Sequence, residues 1–242
     1  MMRGLLVAIG FLTRLPVPPR VFDDEHAQAN SLAWYPAVGL LIGLLLCVLS
    51  WLLHGVPPLL SAALVLAVWV VLTGALHLDG LADSADAWVG GLGDRERTLT
   101  IMKDPRSGPI GVVALVLVLL LKFAALASLP TSNSYALLLA PVLARASLTA
   151  LFLVMPYVRS GGLGTKLVEA PRNACVIAIL LSALLCFVFG LHGLFALICA
   201  ALVFWLWRRA CMHRLGGFTG DTAGALAEMI EAVVLVVLAA SA

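Results

Sequence analysis

The chain has 242 residues, 62% of them hydrophobic and 12% charged, with a formal net charge of +2. A soluble domain carries about a quarter charged residues, so an ordinary cytosolic domain, a disordered chain and a disulfide scaffold are excluded. The 15 basic and 13 acidic residues nearly balance and give no sign of a nucleic-acid partner. The apolar residues come in blocks long enough to cross a bilayer, which takes about 20 residues each. The sequence therefore predicts a polytopic membrane protein.

Residues 1–31 open with a basic residue and an apolar stretch like a signal peptide. They lack a small-x-small cleavage site and run into Arg14 and a Pro-rich segment, which predicts a retained interfacial or half-inserted helix. Seven spans follow, at roughly 32–53, 58–78, 110–129, 134–155, 174–190, 193–207 and 224–241. The fifth and sixth are short enough to be tilted spans or one re-entrant hairpin. The fold class expected is all-α: a single-domain membrane bundle, 1–242, of about seven transmembrane helices plus the N-terminal interfacial helix. Cys47, Cys175, Cys186, Cys199 and Cys211 are odd in number, form no C-x-x-C and mostly lie in apolar runs, so they read as small buried hydrophobes.

Thirteen of the fifteen Lys and Arg residues lie in 1–31, 79–109, 156–173 and 208–223, and the connections near 54–57, 130–133 and 191–192 hold none. By the positive-inside rule the first set is cytoplasmic, with the N-terminus inside. The acids share that side, which the rule does not require. No acid is expected at the midplane of a span, so chemistry is expected at the cytoplasmic mouth.

The most informative stretch is His77-Leu-Asp79-Gly-Leu-Ala-Asp83-Ser-Ala-Asp86, opening the cytoplasmic loop 79–109. Asp79, Asp83 and Asp86 are spaced i, i+4, i+7 and share one helix face. Their mutual repulsion is relieved by a divalent cation, and hard oxygen donors favour Mg²⁺ or Mn²⁺ over zinc. The alternative is a solvated acidic helix end, which would ordinarily intersperse lysines; here the neighbours are Gly, Leu, Ala and Ser. Downstream, Arg95, Arg97, Lys103, Asp104 and Arg106 precede a Gly-rich turn. Mg²⁺ binds through one or two carboxylates plus substrate phosphates, and neighbouring cations hold the remaining phosphate oxygens. The loop thus reads as a diphosphate site, with Lys103 and Arg106 favoured for phosphate and Arg95 and Arg97 explained by topology alone.

A second constellation runs from Gly216 to Glu228. Asp221 and Glu228 are seven apart on one face, directed into the bundle as membrane acids usually are; helix capping is the competing role for Asp221 and Thr222. Glu231 follows. Arg145, mid-span, is expected to pair with an acid or face an aqueous cleft, and Lys122 to snorkel. His77 is either an acid/base or hydrogen-bonding support to Asp79, or simply structural. From the residues alone, the chain is a membrane enzyme with a Mg²⁺-carboxylate site for phosphoryl-type transfer.

Phe11-Leu-Thr-Arg14-Leu-Pro-Val-Pro, His77-Leu-Asp79-Gly-Leu-Ala-Asp83-Ser-Ala-Asp86, Ile101-Met-Lys103-Asp104-Pro-Arg106-Ser-Gly and Thr219-Gly-Asp221-Thr222 together resemble the cobalamin synthase family. Its members are adenosylcobinamide-GDP ribazoletransferases. The resemblance runs from near residue 5 to near residue 235, with Ala87 after Asp86 and Pro109 before Ile110 as small departures. It implies a Mg²⁺-dependent reaction at the inner (cytoplasmic) membrane. Adenosylcobinamide-GDP and α-ribazole (5′-phosphate) give adenosylcobalamin (5′-phosphate) and GMP. It further implies Asp79, Asp83, Asp86 and Asp104 as metal-binding, and Asp83 or Asp104, with His77, as catalytic. Lys103 and Arg106 would hold phosphate, and Arg14, Asp221 and Glu228 would close the substrate site. Membrane lipid and a second copy of the chain, as a homodimer, are the other expected partners. Two readings compete. A CDP-alcohol phosphotransferase shares the opening D-x-x-D at Asp83–Asp86 but requires a following Gly and a later Gly-x-x-x-Asp-x-x-x-Asp, both missing here. An ion-coupled transporter would place acids at midplane in broken helices.

Overall fold

The computed structural model describes residues 2–129, 134–159 and 164–241. Two short helices, α1 (Met2–Leu12) and α2 (Glu25–Ser31), precede α3 (Tyr35–Leu52), α4 (Pro58–Thr73) and α5 (Leu76–Gly90). Then come α6 (Arg95–Ile101), α7 (Pro109–Ser128), α8 (Tyr135–Val154), α9 (Gly164–Leu167), α10 (Arg172–Val188), α11 (Gly190–Leu215) and α12 (Gly220–Ala240). No strand occurs among the described residues; an isolated bridge pairs Tyr157 with Phe218.

Several helix starts are written in prolines at the first helical turn, as at Pro36, Pro58 and Pro109. There the missing N–H costs nothing and φ is preset. The helices sort into a centre and a periphery. Two thirds of the apolar window is buried in both α8 and α12, against 22% in α7 and 17% in α11. Leu, Val and Phe side chains on the outer faces of α3, α4, α7, α10 and α11 stay exposed, as a lipid-facing shell requires. Gly39 and Gly43 seat α3 on α8. A Cβ at Gly43 would stand 2.8 Å from the Leu137 carbonyl oxygen, and one at Gly39 would collide with the Pro141 backbone. This small-xxx-small spacing lets two helix backbones touch.

Against the seven spans expected, five helical segments among the described residues are long and apolar enough to cross a bilayer, six if α4 and α5 are counted as one bent span. The five are residues 25–52, α7, α8, α11 and α12, and α10 is a shorter apolar helix of 17 residues. The expected short sixth span, 193–207, is instead α11, the longest helix at 26 residues. That length, about 39 Å at 1.5 Å per residue, is a full crossing rather than half of a re-entrant hairpin. The last helix begins at Gly220 rather than 224. The expected second span, 58–78, stops at Thr73, where the chain turns by 87° into α5. Gly74 (φ 62°) and Ala75 (φ 57°) make that corner in the left-handed region. For Ala75 this costs about 1–2 kcal/mol. Arg14 packs its side chain against Gly74, and its backbone N–H donates to the Leu72 carbonyl at 2.7 Å.

The basic segments gather at the end of the bundle where α5 and α6 lie. The opposite end joins the C-terminal part of α3 to the start of α8 and the α10–α11 turn: the Cys47 thiol donates to the Ser134 carbonyl, and Tyr135 stacks on Phe189. Residues 130–133, expected to form a connection at that end, and residues 160–163 of the basic 156–173 segment lie outside the described residues.

Candidate active site

The corner at Gly74–Ala75 sends α5 out of the crossing α4 and lays it over the N-terminal ends of α7 and α12. Two glycines make that crossing possible. A Cβ at Gly80 would stand 2.7 Å from the Asp221 carbonyl oxygen, and one at Gly224 would stand 3.2 Å from the His77 backbone. The His77–Asp86 stripe is thereby held against the Gly220–Gly224 turn of α12. Residues 141 and 147 positions apart in the chain thus form one site.

The N-cap of α12 is Thr219. Its hydroxyl accepts from the Thr222 N–H at 3.2 Å, while the Thr222 hydroxyl accepts from the Thr219 N–H at 2.9 Å. Thr222 therefore does cap the helix, as the competing reading held, but Asp221 does not. The Asp221 carboxylate turns outward and accepts from the Arg159 guanidinium at 2.9 and 3.3 Å.

The three stripe carboxylates have different surroundings. Asp79 is exposed and lines the principal cavity. Asp83 is half-buried, and its pKa is pushed up to about 6, first by burial and then by the charges of Asp79, Asp221 and Asp86. Asp86 caps a neighbouring helix: it accepts from the N–H groups of Gly108 at 2.6 Å and Gly111 at 2.9 Å, at the start of α7. Among the described residues, no three His, Cys, Asp or Glu side chains converge as a ready-made metal cage.

Beside the stripe lies a cavity of about 500 Å³. Its lining combines polar residues, His77, Asp79, Lys103, Arg159 and Asp221, with apolar and aromatic ones, Phe11, Tyr35, Leu148, Phe152, Tyr157 and Leu167. Lys103, Arg159 and Asp221 also border a smaller adjoining cavity of about 60 Å³. Another cavity, of about 220 Å³, lies at the far end of the bundle and is lined by no Asp, Glu, Lys or Arg. The polar groups thus select the first.

Asp104 and Arg106 pair with each other instead of entering the cavity. The guanidinium donates to both carboxylate oxygens at 3.1 Å, and this bonding lowers the Asp104 pKa.

Below the cavity floor the structure corrects the sequence reading. Glu228 and Glu231 do not stand at the mouth. They are buried two to three turns into α12, with Glu231 at mid-helix, so the expectation that no acid lies deep in a span fails. The Lys122 ammonium does not snorkel. It donates to Glu228 at 2.5 Å and to Glu231 at 2.5 Å, over the Trp69 ring. Arg145 pairs with Glu231, as expected of a mid-span arginine, and its other nitrogen lies 3.5 Å from His77 Nδ1. The physical reason is charge balance: two buried cations and two buried acids neutralise one another inside the bundle. His77 takes Arg145, not Asp79, as its partner. Guanidinium can only donate, so this contact is a hydrogen bond in the tautomer whose Nδ1 accepts and whose Nε2 carries the proton.

Sequence reasoning passed over Arg159, Tyr157 and Phe152. Arg159 counted only toward sidedness, and the aromatics lie in or just beyond an apolar run, where no local pattern separates a cavity wall from a lipid-facing or core residue.

Fold and site together define a helical, multi-pass membrane protein with a carboxylate- and cation-edged cavity at one end of its bundle. The family model described as cobalamin-5-phosphate synthase matches residues 4–239. The chain belongs to that family. A Stutzerimonas stutzeri protein named adenosylcobinamide-GDP ribazoletransferase is 56% identical over 240 residues, covering 98% of each chain. A Pseudomonas aeruginosa protein of the same name matches to the same extent, and one from Pseudomonas fluorescens is 56% identical over 232 residues, 95% of this chain and 96% of its own. No solved structure matches the chain.

Proposed function

We propose that the chain is an adenosylcobinamide-GDP ribazoletransferase, joining adenosylcobinamide-GDP to α-ribazole 5′-phosphate (or α-ribazole) with release of GMP. The observation that carries the reading is the cavity: its lining brings Asp79, Asp221, Lys103 and Arg159, suited to a diphosphate and its metal, together with aromatic residues. Near-full-length relatives at 56% identity bear that name. In the reaction the ribose 3′-hydroxyl oxygen bonds to the phosphorus attached to cobinamide, the bond from that phosphorus to the GMP oxygen breaks, and the hydroxyl proton passes to a base. Asp83 suits that role better than Asp104. A carboxylate whose ionisation is disfavoured takes a proton more readily, whereas Asp104 is committed to Arg106.

The magnesium ion expected from the family resemblance fits this donor set. Asp79 and Asp221 are hard oxygen donors close enough for the charge of one to act on the other, and Mg²⁺ takes one or two carboxylates with the rest from phosphate and water. When bound it would neutralise charge on the diphosphate as GMP leaves. Lys103 and Arg159 orient phosphate oxygens, and the buried His77, in that tautomer, offers its Nε2–H as a donor. This reading puts the site at the cytoplasmic face of the inner membrane with the N-terminus inside, and the Lys- and Arg-bearing segments at its end of the bundle support it through the positive-inside rule.

The test is GMP release by the purified chain in lipid from both substrates, with Mg²⁺ and with EDTA. Release that needs Mg²⁺ and is lost in Asp83→Asn, with the variant still folded, is the expected result. Absence of GMP, with CMP formed from a CDP-alcohol, would move the protein to phospholipid synthesis.

A further inference from the structure

The aromatic lining of the cavity has a definite form. Phe11 and Tyr35 stack with ring centroids 6.2 Å apart, and Phe152 and Tyr157 stack at 5.9 Å. Phe218 meets both Phe152 and Tyr157 edge-on, at 4.9 and 5.3 Å, and fixes the second pair from behind. The two pairs arrive from opposite parts of the chain, α1–α3 and the end of α8, and line one cavity. Such a wall suits a flat, apolar ring.

Resting on the transferase reading, three groups compete for it: the corrin ring, the guanine of the GDP moiety and the base of ribazole. A space of about 500 Å³ lies in the range that buries one drug-sized ligand, and a corrin ring with its appended nucleotide is far larger. Guanine carries a carbonyl, an imino N–H and an amino group on its edges. Against Phe and Leu side chains these would lose water without gaining partners, which is unfavourable. The dimethylbenzimidazole of ribazole has methyl groups on its outer edge, and its ribose phosphate is anionic. The cavity lining offers aromatic rings for that base, Phe152 and Tyr157 among them.

We propose that the aromatic residues of this cavity seat the base of α-ribazole 5′-phosphate, and that only the diphosphate of the corrinoid substrate enters beside it, toward Lys103 and Arg159. Phe152 and Tyr157 are then determinants of acceptor specificity, distinct from the carboxylates that serve the transfer.

The experiment measures KM for each substrate by GMP release from the full chain in lipid. Phe152→Ala is expected to raise KM for α-ribazole 5′-phosphate about tenfold, the scale of base-on-aromatic stacking, with KM for adenosylcobinamide-GDP unmoved. Phe152→Tyr, which keeps the ring, restores it. A rise for the corrinoid substrate as large as that for the acceptor, or an unmoved acceptor KM, overturns the proposal. Calorimetry on the unaltered protein gives a measurement independent of variant folding. α-Ribazole 5′-phosphate should bind in the absence of the corrinoid and persist in excess GMP, and displacement by GMP or no binding overturns the seat. Absence of GMP release from the unaltered protein would count against the transferase reading, while the calorimetry still judges the seat.

Discussion

Asp86 shows how much a single carboxylate's neighbours decide. It shares a helix face with Asp79 and Asp83, yet its two oxygens are spent on the Gly108 and Gly111 N–H groups at the start of α7. Pro109 has no N–H to present there, so one side chain from another helix closes the turn. A helix cap is worth about 1–2 kcal/mol, and an amide has a single oxygen, so Asp86→Asn keeps one of the two bonds and sets an NH2 donor against the other N–H. Asp86→Asn is therefore expected to lose about 1–2 kcal/mol of stability and keep part of the GMP-releasing activity, whereas Asp83→Asn abolishes turnover. Parallel assays of the two variants check this; equal losses would return Asp86 to the metal site. Asp221 is the converse case. Thr219 and Thr222 satisfy the cap of α12 between them, which releases Asp221 to meet Arg159.

The elements that build the site meet through glycine. α5 reaches α12 because Gly80 faces the Asp221 backbone and Gly224 faces His77; every functional side chain could be intact and the site still lost if that approach were blocked. Gly80→Ala puts a methyl 2.7 Å from the Asp221 carbonyl oxygen, so the backbones must separate. A shift of about 1 Å in a reacting geometry costs on the order of a hundredfold in rate. The expected outcome is a folded, membrane-inserted protein whose kcat falls at least tenfold, read by GMP release beside a thermal-unfolding control; undiminished kcat would show that the close approach is dispensable. The α4–α5 corner belongs to the same scale. A continuous apolar run predicts one span through residue 78, and only the left-handed pair Gly74–Ala75, with Arg14 against Gly74, turns the stripe across the bundle end.

At the scale of the molecule, the buried ion cluster ties the bundle together under the cavity. Lys122 comes from α7, Arg145 from α8, Glu228 and Glu231 from α12, and His77 from α5. Removing one member of a buried pair leaves an uncompensated charge and costs about 3–5 kcal/mol. Glu231→Ala should lower unfolding stability by about that much in mixed micelles, and the charge-neutral double change Arg145→Met with Glu231→Met should recover part of it. A single variant as stable as the parent would show that the cluster contributes nothing to holding the helices. Acids at this depth were the mark expected of a transporter; here they are neutralised in place by Lys122 and Arg145, and the family match assigns the chain elsewhere.

Composition and hydropathy by themselves determined the membrane class, the helical architecture and the approximate spans, because a bilayer demands long apolar helices whatever the fold. The family was legible too, through strings such as His77–Asp83 and Met102–Asp104, and so were the clustering of basic segments at one end and the pairing of Arg145 with an acid. What a one-dimensional pattern cannot carry is which side chains from distant segments consume one another. Asp86 against α7, Arg159 against Asp221, and Lys122 against Glu228 and Glu231 are pairings across 22 to 109 residues of chain. Only the tertiary structure decided that of the three stripe acids one is a cap, that two glycines bring α5 onto α12, and that a cavity with aromatic residues in its lining opens beside the carboxylates. These depend on close backbone approach and charge balance inside the bundle, neither of which has a local sequence period.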